Sequence, residues 1–423
     1  MGFVTIDGLR LAISHEEMTL MHDHSTDGLL ALPHIATDGD GIVLGKANRK
    51  VLRDRGRGNI LVQGGARYGK TSTHALTTLT RHTGSMVVLD LKGQLTEITR
   101  HRRSAFGRVL VWNPTDPAAT TRLNPFAGLG AAGESLARCI TMADRMMVPD
   151  ADQERADNRM KELASPLLSA LLLHLCETDR PTLARLWAVV NAAIAGSEFA
   201  GASVYVRDHL ADYRRLEAVL QAGLNNYLLA HLSWMGDAAV QEATGESDLR
   251  GRDLREGDHP TTLYLTVPPR ALDRLRPLVR LVLTDLLQDL LGHRPASAGL
   301  DPRPVVLLLD DFTRAGRLDG LEQSLAVLPD HGVRAVLVAR GGAEIERVYS
   351  IHNRIVANCD THCLMPGIAN LPVWPRGQPN LKDMTNREIL SRAGGEVLIC
   401  TQGVEPTWLG KIARHDARVS YRR

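Results

Sequence analysis

Aromatic side chains make up only 4% of the 423 residues. The core therefore has to be built from Leu, Val, Ile, Ala and Met, and a binding surface of stacked aromatic platforms is disfavoured. Cysteines are few and odd in number: Cys139, Cys176, Cys359, Cys363 and Cys400. That argues against a disulfide scaffold and for a reducing compartment. An excess of one charge is also missing. Lys and Arg number 50 against 48 Asp and Glu, a formal net charge of +2, which gives no chain-wide attraction to nucleic acid. Long hydrophobic runs are absent too. The longest, Leu163 to Leu175, has 13 residues and is interrupted by Ser165, Pro166, Ser169 and His174, whereas a bilayer span takes about 20. The start, Met1-Gly2-Phe3-Val4-Thr5-Ile6-Asp7, lacks the basic region and longer apolar run of a secretory signal. The expectation is a soluble chain, with peripheral attachment through a membrane protein left open.

What is present is globular. Apolar residues at 44% and charged residues at 23% exclude disorder and collagen as descriptions of the whole. The length suits roughly three domain-sized units. Short β-branched runs at Ile60 to Val62, Met86 to Leu89 and Val109 to Trp112, the first two separated by a helical stretch, give the pattern of a βαβ unit in a largely parallel sheet. Between residues 131 and 235 the texture changes to long Leu/Ala/Met periodicity, clearest from Arg159 to His174, which predicts an inserted all-α domain. Strand texture resumes at Thr261 to Val267, followed by a helix from about Leu275 to Leu291 and a Pro- and Gly-rich loop over 292–304. A strand Val305 to Leu309, a helix near 319–328, and strands at Val333 to Val338 and Ile355 to Cys359 continue the α/β pattern. The expected division is 1–58 as an N-terminal extension with lead-in strands, 59–130 and 236–423 as two parts of one nucleotide-binding domain, and 131–235 as the all-α domain. Strands at Phe3 to Ile6 and Leu9 to Ile13 fall in the extension, joined by a turn at Asp7-Gly8.

The strongest local signal is Gly64-Gly65-Ala66-Arg67-Tyr68-Gly69-Lys70-Thr71, which fits G-x-x-x-x-G-K-[ST] directly after the strand Ile60 to Gln63. A helix starting near Gly69 points free N–H groups and the positive end of its dipole at phosphate. Gly64, Gly65, Gly69, Lys70, Thr71 and Ser72 are the expected nucleotide-binding residues, with Lys70 reaching the β and γ phosphates and Thr71 holding Mg²⁺. The alternative is a glycine loop with a solvated lysine. Asp310 and Asp311 end the apolar strand Val305 to Leu309, and paired carboxylates there call for a cation or exposure to offset their repulsion. Asp310 is the Mg²⁺-side candidate and Asp311 the water-activating, catalytic one beside Lys70. The plain alternative is a turn after a core strand. Asp90-Leu91-Lys92-Gly93 follows the next strand and falls on the same sheet edge. Arg314, Arg317 and Arg340 are candidates for charge supplied across a subunit boundary.

These motifs join others in order: Val87 to Gly93, Trp112-Asn113-Pro114-Thr115-Asp116-Pro117, Arg122-Leu123-Asn124-Pro125, Asp253 to Gly257, Thr261 to Pro269, Leu307 to Phe312 with Gly316-Arg317-Leu318, Asn386 to Leu390, and Gly394 to Ile399. Together, over roughly residues 42–415, they resemble the coupling-protein ATPases of conjugation and type IV secretion, the TraG/TraD-like motors. The resemblance implies a RecA-like P-loop domain interrupted by an all-α domain, assembled as a homo-hexameric ring that binds ATP and Mg²⁺ at subunit interfaces. It further implies recruitment or translocation of single-stranded DNA with its relaxase, or of protein substrates, into secretion or conjugation machinery. Asp311 stands where this family commonly has glutamate, one methylene longer. Ala339-Arg340 stands where relatives place a glutamine that senses the γ phosphate, and arginine cannot reproduce the amide's paired donor and acceptor. The usual N-terminal membrane spans have no counterpart in the sequence. The expected location is the cytoplasm, with peripheral attachment at the inner membrane through a membrane-protein partner as the open variant.

Weaker signals remain. Lys46, Arg49, Lys50, Arg53, Arg55 and Arg57 form one basic cluster, and Arg100, Arg102, Arg103 and Arg108 with His101 a second. Each reads either as DNA-phosphate contact or as solvated surface. Cys359-Asp360-Thr361-His362-Cys363 offers no fourth zinc ligand by spacing. Three functions compete: an ATP-driven transfer motor, a hydrolysis-poor nucleotide-dependent scaffold derived from it, and a DNA-binding module without nucleotide.

Overall fold

The structure is a computed structural model that describes residues 2–6, 9–13, 26–116, 118–119, 121–129, 135–147, 158–178, 180–292, 303–367 and 395–412. Its strands in chain order are β1 Gly2–Ile6, β2 Leu9–Ile13, β3 Ile35–Ala36, β4 Ile42–Ala47, β5 Lys50–Asp54, β6 Ile60–Gln63, β7 Ser85–Asp90, β8 Arg108–Trp112, β9 Thr261–Thr266, β10 Val305–Leu309, β11 Val333–Ala339, β12 Thr361–Leu364, β13 Glu396–Thr401 and β14 Thr407–Gly410. β1 and β2 pair with each other in antiparallel fashion. The rest form one sheet of 12 strands in the order β3-β5-β4-β14-β13-β12-β6-β11-β10-β7-β9-β8. From β12 to β8 every neighbour is parallel. From β3 to β12 every neighbour is antiparallel.

Parallel strands covered on both faces read as unbroken apolar runs, and β7 and β10 are buried at every position. The two-residue period then sorts their side chains. Leu61, Val87, Leu89, Leu307, Leu309 and Leu337 enter a core on one face that continues into the helices. Ile60, Val62, Met86, Val88, Val306, Leu308, Val336 and Val338 enter a second core, roofed by the helix after β6 and by β4 and β5. Truncating one such leucine to alanine costs roughly 2–5 kcal/mol.

Between β8 and β9, which are neighbours in the sheet, the chain runs through helices Ser135–Met146, Asn158–Thr178, Leu183–Ile194, Val204–Arg214, Ala218–Leu232 and Ala238–Ala243. Entry and exit are tied at a neck. Leu123 N–H donates to Ala243 O at 2.9 Å, Asp248 N–H to Arg122 O at 2.9 Å, and the Arg122 guanidinium meets Asp248 at 3.0 Å. The sequence expectation of a strand at Ile355 to Cys359 is corrected. Residues 355–358 form a turn, and the strand is Thr361–Leu364. The expected Asp7-Gly8 turn, and the motifs Asn386 to Leu390 and Gly394, lie outside the described residues.

Candidate functional site

The loop after β6 leads through Lys70 into one π turn, Thr71–Ala75, and on into the helix Leu76–Arg81. The helix is fixed from its buried side: His74 Nδ1–H donates to Val43 O of β4 at 2.9 Å. Burial pushes the His74 imidazole down to about 4, so it is neutral. Gly69 has φ +89°, a conformation that favours glycine. Gly64 and Gly65 have a different reason. A Cβ on Gly64 would sit 2.7 Å from Met365 Cβ, and one on Gly65 would sit 2.7 Å from Gly367 O. Both glycines let the chain leaving β12 cross directly behind the loop. Their carbonyls accept from Lys70 Nζ at 2.6 and 2.9 Å, which holds the lysine folded into the loop. Burial lowers the Lys70 pKa, opposed by the charges of Asp311 and Asp310.

Four chain segments end on this edge, because β6, β7, β10 and β11 run parallel and each loop leaves at the same side. Thr71 Oγ1 donates to Asp310, at 3.1 Å from Oδ1 and 3.2 Å from Oδ2. Burial, and then the neighbouring Asp311 charge, push the Asp310 carboxyl up to about 7. Asp311, at φ +51°, turns away from it and forms an ion pair with Lys92 at 2.6 Å. Asp90 serves the fold. Its Oδ2 accepts Thr96 N–H at 2.8 Å and Thr96 Oγ1–H at 2.9 Å, capping the helix Gln94–Ser104.

A cavity of about 470 Å³ lies over the loop. Arg67, Gly69, Lys70, Thr71 and Ser72 line it on one side, and Lys92, Gln94, Asp311 and Arg340 on the other. Of the expected residues, Gly64, Gly65 and Asp310 are not in that lining. The glycines sit behind it, and Asp310 sits beneath Thr71. Arg340 opens into its own chain's cavity, while Arg317 lies elsewhere, 3.9 Å from Glu322. The sequence reading missed Gln94. It also missed Lys411, whose Nζ donates to Tyr68 O at 2.8 Å from the end of β14. Position just after the β7 loop signals Gln94, whereas nothing local signals Lys411.

Asp310 meets the Thr71 hydroxyl oxygen, and burial together with the adjacent Asp311 charge raises its pKa, so a hard divalent cation bound there would relieve both the burial of its charge and the repulsion. The residues therefore fit Mg²⁺, with Thr71 and Asp310 as its holders. Among the described residues no group of three His, Cys, Asp or Glu forms another metal cluster.

The basic clusters resolve unevenly. Arg103 is neither a phosphate contact nor solvated: it is buried and donates to His82 O, to Gly84 O at 2.6 Å and to Thr262 Oγ1 at 2.8 Å. Arg53 is buried and donates to Thr37 O at 2.8 Å, and Arg55 pairs with Asp38.

Residues 34–353 match the family model described as Type IV secretory system Conjugative DNA transfer. The chain belongs to that family. Among curated relatives, the conjugal transfer protein TraG of Escherichia coli is 24% identical over 347 residues, covering 74% of this chain and 53% of TraG. Protein VirD4 of Agrobacterium fabrum (strain C58 / ATCC 33970) is 27% identical over 306 residues, covering 68% of this chain and 44% of VirD4. The chain thus spans about half the length of the curated relatives it matches. The solved plasmid coupling protein TrwB, in complex with ADP and Mg²⁺, superposes with a TM-score of 0.63 at 14% identity, covering 96% of this chain and 95% of that one. The chain shares the RecA-like α/β fold of TrwB, and no helix among its described residues is long and apolar enough to cross a membrane.

Proposed function

We propose that this chain binds ATP with Mg²⁺ in the cavity over residues 64–72 and hydrolyses the β–γ bond as a coupling subunit of conjugative DNA transfer. The observation that carries the reading is the meeting of Thr71 and Asp310 at 3.1 Å across 239 positions of sequence, beside Lys70. The TrwB complex with ADP and Mg²⁺ supports the same ligand for this fold. When triphosphate enters, Lys70 exchanges two loop carbonyls for phosphate oxygens, and the loop N–H groups complete the cradle. Thr71 and Asp310 would hold Mg²⁺, which would supply neutralising charge to the phosphate oxygens. Asp311 has to leave Lys92 before its carboxylate orients the attacking water. Arg340 contributes positive charge to the phosphate end from the same chain.

The division into 1–58, 59–130, 131–235 and 236–423 belongs to this reading, as do a hexameric ring and attachment at the inner membrane through a partner. So does cargo of single-stranded DNA with relaxase, or of protein. The test is phosphate release from Mg·ATP with single-stranded DNA present: the wild type turns over, and Lys70→Ala does not. Equal rates in the two withdraw the hydrolytic assignment.

A second reading is favoured by the 2.6 Å Lys92–Asp311 pair, which engages the water-directing carboxylate, and by Ala339 in the family's glutamine position. In it the chain binds ATP to stabilise assembly and hydrolyses it poorly. Calorimetric Mg·ATP binding without stimulated phosphate release selects this scaffold.

A further inference from the structure

Two of the five cysteines lie outside the phosphate site and against each other. Cys139, near the start of the helix Ser135–Met146, and Cys176, near the end of Asn158–Thr178, have Sγ atoms 3.8 Å apart. Both are free thiols, Cys139 wholly buried and Cys176 half-buried. The other three cysteines are buried. A disulfide needs an S–S distance of about 2.05 Å, so the two sulfurs have to close in from 3.8 Å to form the bond.

We propose that Cys139 and Cys176 are a redox-active dithiol that a two-electron oxidant closes to a disulfide. The accessible sulfur acts first. Cys139 is wholly buried and Cys176 only half-buried, so an oxidant in solution reaches Cys176 first. With an oxidised low-molecular-weight disulfide RSSR, the Cys176 thiolate attacks one sulfur, forming Cys176–S–S–R and releasing RS⁻, which takes the proton Cys176 lost. Cys139 sulfur then displaces the remaining thiol from Cys176, and the Cys139 proton goes to that departing RS⁻. Two protein thiols lose two electrons and two protons, and RSSR becomes two RSH.

The bond staples the open end of the first helix pair of the inserted run, closing a loop of 37 positions. The helix it fastens also touches the sheet-bearing half. Arg145 Nε donates to Asp319 at 3.2 Å, and Nη1 to Gln288 Oε1 at 3.0 Å, on the helix Pro269–Gly292. Thiols in a reducing compartment stay reduced at rest, so such a pair reports oxidation rather than building the fold.

The experiment treats the full chain with oxidised glutathione, blocks free thiols, and maps peptides. The proposal expects the thiol titre after unfolding to fall from five to three, with one intramolecular bond between Cys139 and Cys176. Cys139→Ser should stop at a persistent glutathione adduct on Cys176. Cys176→Ser should give no adduct, because the remaining sulfur is buried. Five intact thiols under oxidant that closes an exposed model dithiol would overturn it, as would a lasting Cys176 adduct in the wild type or a bond between chains.

Discussion

Asp310 sets the needs of the site against those of the fold. An unfolded aspartate loses its proton near 3.8, whereas this one keeps it to about 7. Between those values the native state holds a proton that the unfolded chain has lost, so this group's contribution to stability falls as pH rises through the window. Above about 7 the fold carries a buried charge, at a cost on the order of a few kcal/mol. Asp310→Asn in metal-free buffer is therefore expected to melt higher than the wild type at pH 8, with the gap narrowing as pH falls through 7 and closing only near 3.8, where both states hold the proton. A pH series of thermal melts checks this, and equal midpoints at pH 8 would sink it. The same variant should lose Mg²⁺-dependent nucleotide binding. Gly65 makes a different demand, set by a backbone on each side. Gly65→Ala drives a Cβ against Gly367, at 2.7 Å from O and 2.9 Å from Cα. Overpacking of this kind costs about 1–3 kcal/mol. Denaturant melts should show that loss together with weaker nucleotide binding, since the loop has to shift.

At the scale of elements, what is legible in the sequence follows from locality. The phosphate loop and Asp310 each end a single apolar strand, so strand texture and motif point to the same residues. Strand β12 is misplaced by texture alone because Ile355 and Val356 are β-branched, while the real strand begins Thr361-His362. Polar termini hold the turn: Arg354 N–H donates to Glu322 Oε1 at 2.7 Å, and Asn358 Nδ2–H to Glu322 O at 2.8 Å. Thr361 is buried with its hydroxyl 3.1 Å from that of Thr401 and 3.4 Å from Asp54, so hydrogen bonding does what apolarity does in β10. β5 is hidden by its charges. Arg53 and Asp54 point into the structure, and Asp54 meets Arg334 of β11 in a buried ion pair at 2.7 Å. That pair fastens the antiparallel flank to the parallel strands. Breaking a buried pair leaves an uncompensated charge and costs about 3–5 kcal/mol. Arg334→Met should lose that much in denaturant melts, and adding Asp54→Asn should recover part of it. Full additivity of the two substitutions would mean that the charges do not interact.

For the whole molecule the question is whether the helical run behaves as an independent body. One apolar cluster runs from Leu89 and Leu309 on the sheet through Leu278 and Leu283 to Met142, Leu168 and Trp234 among the inserted helices. The neck adds the Trp112 indole, which donates to Ala243 O at 3.1 Å. A core without a seam unfolds as one unit, because neither half can expose its side of the cluster alone. A ligand that binds only the folded phosphate loop then stabilises helices that it does not touch. At a free concentration 100 times the Kd that linkage is worth about 2.7 kcal/mol. We expect one calorimetric transition, with the far-UV helical signal and phosphate-site occupancy lost together, and both midpoints moved upward equally by saturating Mg·ADP. A helical transition that stays in place while the sheet's moves would mean that the inserted helices fold on their own. The Arg145 contacts and the neck would then be a hinge between two bodies.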